Sequence, residues 1–165
     1  MNHLALEYLK DRYNEESSRF EHLESKCEKF ISLITIIIAV IAGLVSLNGG
    51  DIIHPKTKIE WFNFIIFTFA CFSIVCCWGH SLLALKIGDT PTLPRSIKVS
   101  EYFEAVNEEL TYLYIYNAHK HTIQKLSDEL QKKEKNLEIA YTELVISAWL
   151  LSVATCIKVY TEIMT

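Results

Sequence analysis

Apolar residues are arranged along this chain in two different ways, and the alternation between them predicts its elements. Over residues 4–29 they fall at Leu6, Leu9, Tyr13, Phe20, Leu23 and Cys27, three and four apart, with Glu16 taking one step of the stripe. That spacing gathers one face of a helix and follows a heptad register. From Phe30 to Asn48 the periodicity gives way to a run without charge, and Trp61 to Leu85 repeats this with Asn63 and His80 as its most polar members. A charged amphipathic stretch begins at His119, with Ile123, Leu126, Leu130, Leu137 and Ala140 on one face and Lys133 as the misfit. It passes, without Gly or Pro, into a third uncharged run from Leu144 to Ile157.

A helix needs roughly 20 residues to cross a hydrocarbon core of about 30 Å, and the first two runs meet that length. The third does so when Tyr141, Thr142 and Glu143 lie at one headgroup level and Val159 and Tyr160 at the other. The pattern therefore predicts an all-α membrane protein with three transmembrane helices, an N-terminal amphipathic helix and a cytoplasmic helical hairpin, assembled as an oligomer. Its segments are an amphipathic or coiled-coil helix (1–29), a transmembrane hairpin (30–86, with spans 30–48 and 61–85), a cytoplasmic linker and helical hairpin (87–142) and a third span with a short C-terminus (143–165).

Charge orients these segments. Of the 16 Lys and Arg, 13 lie before the first run or between Leu85 and Glu143. The excess of basic residues on the cytoplasmic side of membrane proteins places the N-terminus and the middle segment inside and the C-terminus outside. Some thirty mixed-charge residues precede the first run, which argues against a cleaved signal peptide. The five cysteines sit in or beside apolar runs, without metal-ligand spacing, as small apolar side chains do.

Between the first two runs, Asn48, Gly49, Gly50, Asp51 and Pro55 read as a turn. After Leu85, Gly88, Pro91 and Pro94 break the helix, and Ser100 reads as the cap of a new one. A straight helix from Ser100 into the third span would lift Ser100 about 65 Å above the membrane. The linker from Lys86 reaches at most about 45 Å. The expected solution is an outbound helix over 100–116, a turn near Asn117 and Ala118, and a returning helix from 119.

Within the spans, small residues recur at Ser32, Thr35, Ala39, Ala42 and Ser46, and at Ala70, Ser73, Cys77, His80 or Ser81, and Ala84. Such stripes let membrane helices approach closely, or line a hydrated seam. On the third span Glu143, Ser147, Ala148, Ser152, Ala154 and Thr155 share one broad side, expected to face protein or a pore. His80 and Glu143 are the ionisable groups nearest the membrane interior; they fit either a functional role or simple interfacial placement. Glu16 and Lys133 occupy seam positions about 15 to 20 Å above the membrane on helices running the same way, and are expected to pair. The heptad stripe of residues 4–29 fits packing within one subunit or between subunits.

His119, Lys120 and His121, with Lys125 and Lys132 further along, read either as a solvated basic face or as a docking surface for a phosphorylated ligand. Tyr112, Tyr114 and Tyr116 beside them suit helix packing or stacking on bases. The chain carries no metal-protease, phosphate-loop or nucleophile-base motif, so neither enzyme activity nor a cofactor or metal is expected.

The N-terminal helix leading into a membrane hairpin, the Pro94-Arg95 step, the cytoplasmic helical pair and a last helix carrying Lys133, Leu137 and Ala140 into a third span together resemble the transmembrane effectors of bacterial antiphage defence. The pattern is similar to Pycsar-type membrane effectors and the membrane effector of the Hailong system, and more distantly to two-span SLATT effectors. The resemblance implies a bacterial inner-membrane protein, a homo-oligomer such as a tetramer, in contact with membrane lipid. It implies control by a nucleotide or oligonucleotide signal made by a neighbouring nucleotidyltransferase or cyclase, with His119, Lys120, His121, Lys125, Lys132 and Arg95 as candidate ligand contacts. The effector would form a ligand-controlled channel or membrane-disrupting pore, with Glu143, Ser147, Ser152, Thr155 and His80 as candidate lining or gating residues. The rival expectation is a membrane-anchored adaptor that recruits a cytoplasmic protein partner.

Overall fold

The computed structural model describes residues 3–47, 54–86, 91–94 and 96–164. The turn expected at residues 48–51, Gly88 and Arg95 lie outside the described residues. Those described form helices α1 (His3–Leu47), α2 (Lys58–Leu85), α3 (Ile97–Ala105) and α4 (Glu108–Met164), with no strand among them. Three of these, α1, α2 and α4, are long and apolar enough to cross a membrane. The chain divides into two compact units.

The first unit joins α1 up to Ser25 with Lys86–Glu134. Here the heptad face of α1 packs on α4 of the same chain. Phe20, Leu23, Leu126 and Leu130 are buried, and the Tyr13 and His119 rings meet edge-on at 6.1 Å. Contacts pair residue 13 with 119 and residue 20 with 133, so the two helices run in the same direction.

The chain reversal lies elsewhere than expected. Asn117 and Ala118 are inside α4, and the break falls at Val106 and Asn107. Val106 is extended, and the Asn107 side-chain oxygen accepts the Leu110 N–H at 3.0 Å. The Asn107 carbonyl then accepts the first helical bond, from Thr111 N–H at 3.1 Å. Asn107 thus satisfies a donor that a helix start leaves open, whereas nothing at 117–118 interrupts the backbone ladder. The Phe103 and Tyr114 rings, 5.7 Å apart, hold α3 against the start of α4. Ser100 lies within α3, whose N-cap position is Ser96.

The second unit combines α1 from Lys26, α2, and α4 from Lys135. Ile34, Ile74, Cys77 and Ala140 form its buried centre, flanked by Phe30, Ile37, Ile38, Ile41, Leu144 and Leu151. The small-residue stripe of α2 faces inward, with Ala70, Cys77, Ser81 and Ala84 buried. The stripe of α1 does not: Ser32, Thr35, Ala39, Ala42 and Ser46 are exposed, and branched side chains at 34, 37, 38 and 41 point inward instead. Ser32 and Thr35 donate to carbonyls of their own helix, those of Glu28 and Ile31, both at 2.9 Å. One thin helix with a flat small face, α2, lets the other two close around it, and the isoleucines fill the space that remains. No disulfide joins the five cysteines, all of which are described.

Candidate functional site

In the second unit α2 runs against α4, so the end of one apolar run lies beside the beginning of the other. That topology brings His80 to Glu143, which are 63 positions apart in sequence and 3.6 Å apart between Nε2 and Oε1. Their side chains are partly covered, at 35% and 22% exposure. The Ser73 hydroxyl, two turns earlier on α2, donates to the Glu143 main-chain carbonyl at 2.8 Å and ties the helices together at that level. On either side of the pair, Ser81 donates to the Cys77 carbonyl at 2.7 Å, and Ser147 to the Leu144 carbonyl at 2.7 Å. These hydroxyls satisfy themselves on local backbone and leave the acid and the imidazole to each other.

The pair is incompletely satisfied. His80 Nδ1 and Glu143 Oε2 are both buried without a hydrogen-bond partner. A separation of 3.6 Å is longer than a direct hydrogen bond, so the carboxylate and the imidazole face each other without forming one. Burying such groups without full pairing is costly, and in membrane proteins the cost marks functional positions. Chemically the arrangement can hold or pass one proton, or present a carboxylate to a cation. Among the described residues no group of three or more His, Cys, Asp or Glu is placed to hold a metal.

The other expected pore residues are split. Ser147 is buried with Ala154, while Ser152 and Thr155 are exposed beside Trp149 and Val153. Ser152 and Thr155 donate to the Ala148 and Leu151 carbonyls, each at 2.8 Å. The broad polar side of α4 is therefore two flanks, one buried within the unit and one exposed, because three helices cover less of α4 than the wheel of small residues spans.

The basic cluster in the first unit is likewise divided. His119 is buried, its Nδ1 2.9 Å from the Ile115 carbonyl and its ring on Tyr13. Lys120, His121 and Lys125 are exposed. Lys132 contacts Glu129 at 2.7 Å, and that carboxylate holds its ammonium above the ordinary lysine range. Since α4 begins at Glu108, no open helix end lies at residues 119–121 to add backbone donors for phosphate. Arg95 lies outside the described residues. Tyr112 and Tyr116 stack on each other, 6.3 Å apart.

Lys133 and Glu16 are both buried at the seam, but not as a pair. Lys133 Nζ meets Glu24 Oε1 at 2.8 Å and sits 4.1 Å from the Phe20 ring centre. Glu16 accepts from Arg12 at 3.2 Å and Arg19 at 3.4 Å, and Arg19 reaches on to Glu134 at 3.6 Å. Matched height missed this because the register set by the Tyr13 and His119 contact puts Glu16 level with Thr122 and Glu24 level with Leu130, so Lys133, reaching back one turn, finds Glu24, while α1 supplies Glu16 with its own counter-ions one turn away. Glu24 flanks the seam residue Leu23, a position where charged partners are common, and that was the available signal.

Comparison with protein-family models, with curated proteins and with solved structures returns no match. Fold and site together define a class: an all-helical protein with three helices long and apolar enough to cross a membrane. It carries an acid and an imidazole facing each other between two of those helices.

Proposed function

We propose that the protein is a membrane effector of bacterial antiphage defence that forms, as a homo-oligomer in the inner membrane, an ion path controlled by a nucleotide-type signal. The observation that carries this reading is the His80 and Glu143 pair, an incompletely satisfied acid and imidazole between membrane helices. One copy packs its three helices around Ile34, Ile74, Cys77 and Ala140, so an aqueous path requires several copies. The outward Ser32, Thr35, Ala39, Ala42 and Ser46 on α1, with Ser152 and Thr155 on α4, supply small and hydroxyl side chains for contacts between subunits or a hydrated lining. Both α1 and α4 contribute to the charged unit and to the apolar unit without a helix break, which supports transmission from a cytoplasmic signal.

Expression in bacteria together with an enzyme that makes cyclic or oligomeric nucleotides, followed by membrane-potential dye, tests the proposal. Depolarisation and growth arrest are expected for the wild type, and their loss in Glu143→Gln. A purified protein that is monomeric in lipid and passes no ions in liposomes with any cyclic or oligomeric nucleotide would refute it. Harmless expression with a stable copurifying protein would identify an adaptor instead.

A further inference from the structure

At the opposite end of the second unit from His80, where α2 begins and α4 ends, two cavities adjoin. One, of about 400 Å³, is apolar, walled by Ile41, Leu44 and Val45 of α1, Phe67 of α2, and Leu151 and Val159 of α4. The other, of about 390 Å³, mixes charged and polar groups such as His54, Lys56 and Glu162 with apolar ones such as Ile59, Phe64 and Ile157. Asn63, Lys158 and Glu162 line both, so an apolar slot and a charged bowl meet at a shared rim. Each volume lies in the range of roughly 300 to 1,000 Å³ typical of small-molecule sites.

Two features of that rim call for an occupant. The Asn63 side-chain oxygen is buried and has no hydrogen-bond partner, the third such atom in this unit after those of His80 and Glu143. The nearest carboxylate of Lys158 is Glu162 at a loose 3.8 Å, and both side chains are well exposed. Glu60, by contrast, is already engaged: its carboxylate accepts the Lys56 and Thr57 backbone N–H groups at the start of α2. The bowl therefore offers the Lys56 and Lys158 ammonium groups to a phosphate, and the Glu162 carboxylate beside them to a cationic headgroup amine. Trp61, exposed and edge-on to Phe64 at 6.0 Å, stands at the same level, where amphipathic rings mark the membrane surface.

We propose that these cavities form one site for a membrane glycerophospholipid, with an acyl chain in the apolar slot, the phosphate against Lys158 and Lys56, and a headgroup hydroxyl or ammonium donating to Asn63. The match is one of polarity along an axis. The slot is walled by branched and aromatic side chains, and the rim follows within a residue or two on α4, as a lipid's polarity changes over its glycerol. Lysine stems lie along apolar surface while their ammonium groups reach the phosphate level. The site requires only that the three helices cross a membrane, and stands or falls separately from the ion path.

Full-length protein in nanodiscs of phosphatidylethanolamine and phosphatidylglycerol, analysed by native mass spectrometry, tests the proposal. One phospholipid per chain is expected to survive release from the disc. Lys158→Gln, a change of similar length at a partly exposed position, should lower the retained fraction about tenfold, as loss of one charge-assisted contact does. Val45→Phe, which fills the slot, should abolish retention while helicity by circular dichroism stays unchanged; if that variant does not fold, Lys158→Gln decides alone. No retained lipid in the wild type, or retention unaltered in Lys158→Gln, would overturn the proposal.

Discussion

Removing Glu24 should destabilise the first unit far more than removing Lys133, although the two form one ion pair. Lys133 has 7% side-chain exposure and Glu24 36%, with 2.8 Å between their charged atoms. At an effective dielectric near 20 the direct attraction is about 6 kcal/mol, largely offset by the cost of taking the ammonium out of water. Glu24→Ala leaves that buried ammonium without its counter-charge. Deleting one partner of a fully buried pair costs about 3–5 kcal/mol, and the partial exposure of Glu24 reduces the expectation to about 2–3 kcal/mol. Lys133→Met keeps the stem on Phe20 and removes the charge. It loses a cation–π contact of about 1–2 kcal/mol but also relieves the desolvation, for a net change within about 1 kcal/mol.

For a chain of this size 1 kcal/mol moves the midpoint by about 2–4 °C. Glu24→Ala should therefore melt about 5–10 °C below wild type in detergent micelles, followed by far-ultraviolet circular dichroism. Lys133→Met should stay within about 4 °C. The double variant should resemble Lys133→Met, giving a coupling energy of about 2 kcal/mol. A double variant as unstable as Glu24→Ala would refute the reasoning, because Glu24 would then act through something other than the buried ammonium.

Two further outcomes follow from the helix ends and the membrane packing. Asn107→Ala should cost about 1 kcal/mol through loss of the bond to Leu110 N–H, while Asn117→Ala should be silent or slightly stabilising; equal effects on the melting midpoint would contradict a helix start at Glu108. Ser81→Leu forces a large side chain into the fully buried face of α2 and should cost about 1–3 kcal/mol; an unchanged melting midpoint in detergent micelles would contradict the inward course of that face.

The three helices long and apolar enough to cross a membrane were legible because an uncharged run of that length has few alternatives, and the heptad face of α1 because its spacing has one period. Two of the expected features were misplaced for identifiable reasons. The turn near Asn117 was inferred from linker reach with Ser100 as a helix start, but Asn107 is the residue whose side chain closes a helix end. Glu16 and Lys133 were matched by height, yet Lys133 reaches back to Glu24 and Phe20. His80 and Glu143 were both marked as candidates from their unusual polarity, but nothing local joined them; the antiparallel course of α2 and α4 does.

What the sequence by itself determined is what depends on one helix at a time: which stretches are helical, which are apolar enough for a membrane, and which positions share a face. Those are properties of period and composition, printed in every residue. Only the tertiary structure decided which face meets which neighbour. It turned the small stripe of α2 inward and that of α1 outward, divided the polar side of α4 into two flanks, gave Lys133 its acid and brought His80 to Glu143. Partner choice depends on how bulky and small faces of several helices fill a shared space, a joint condition that no single stretch carries.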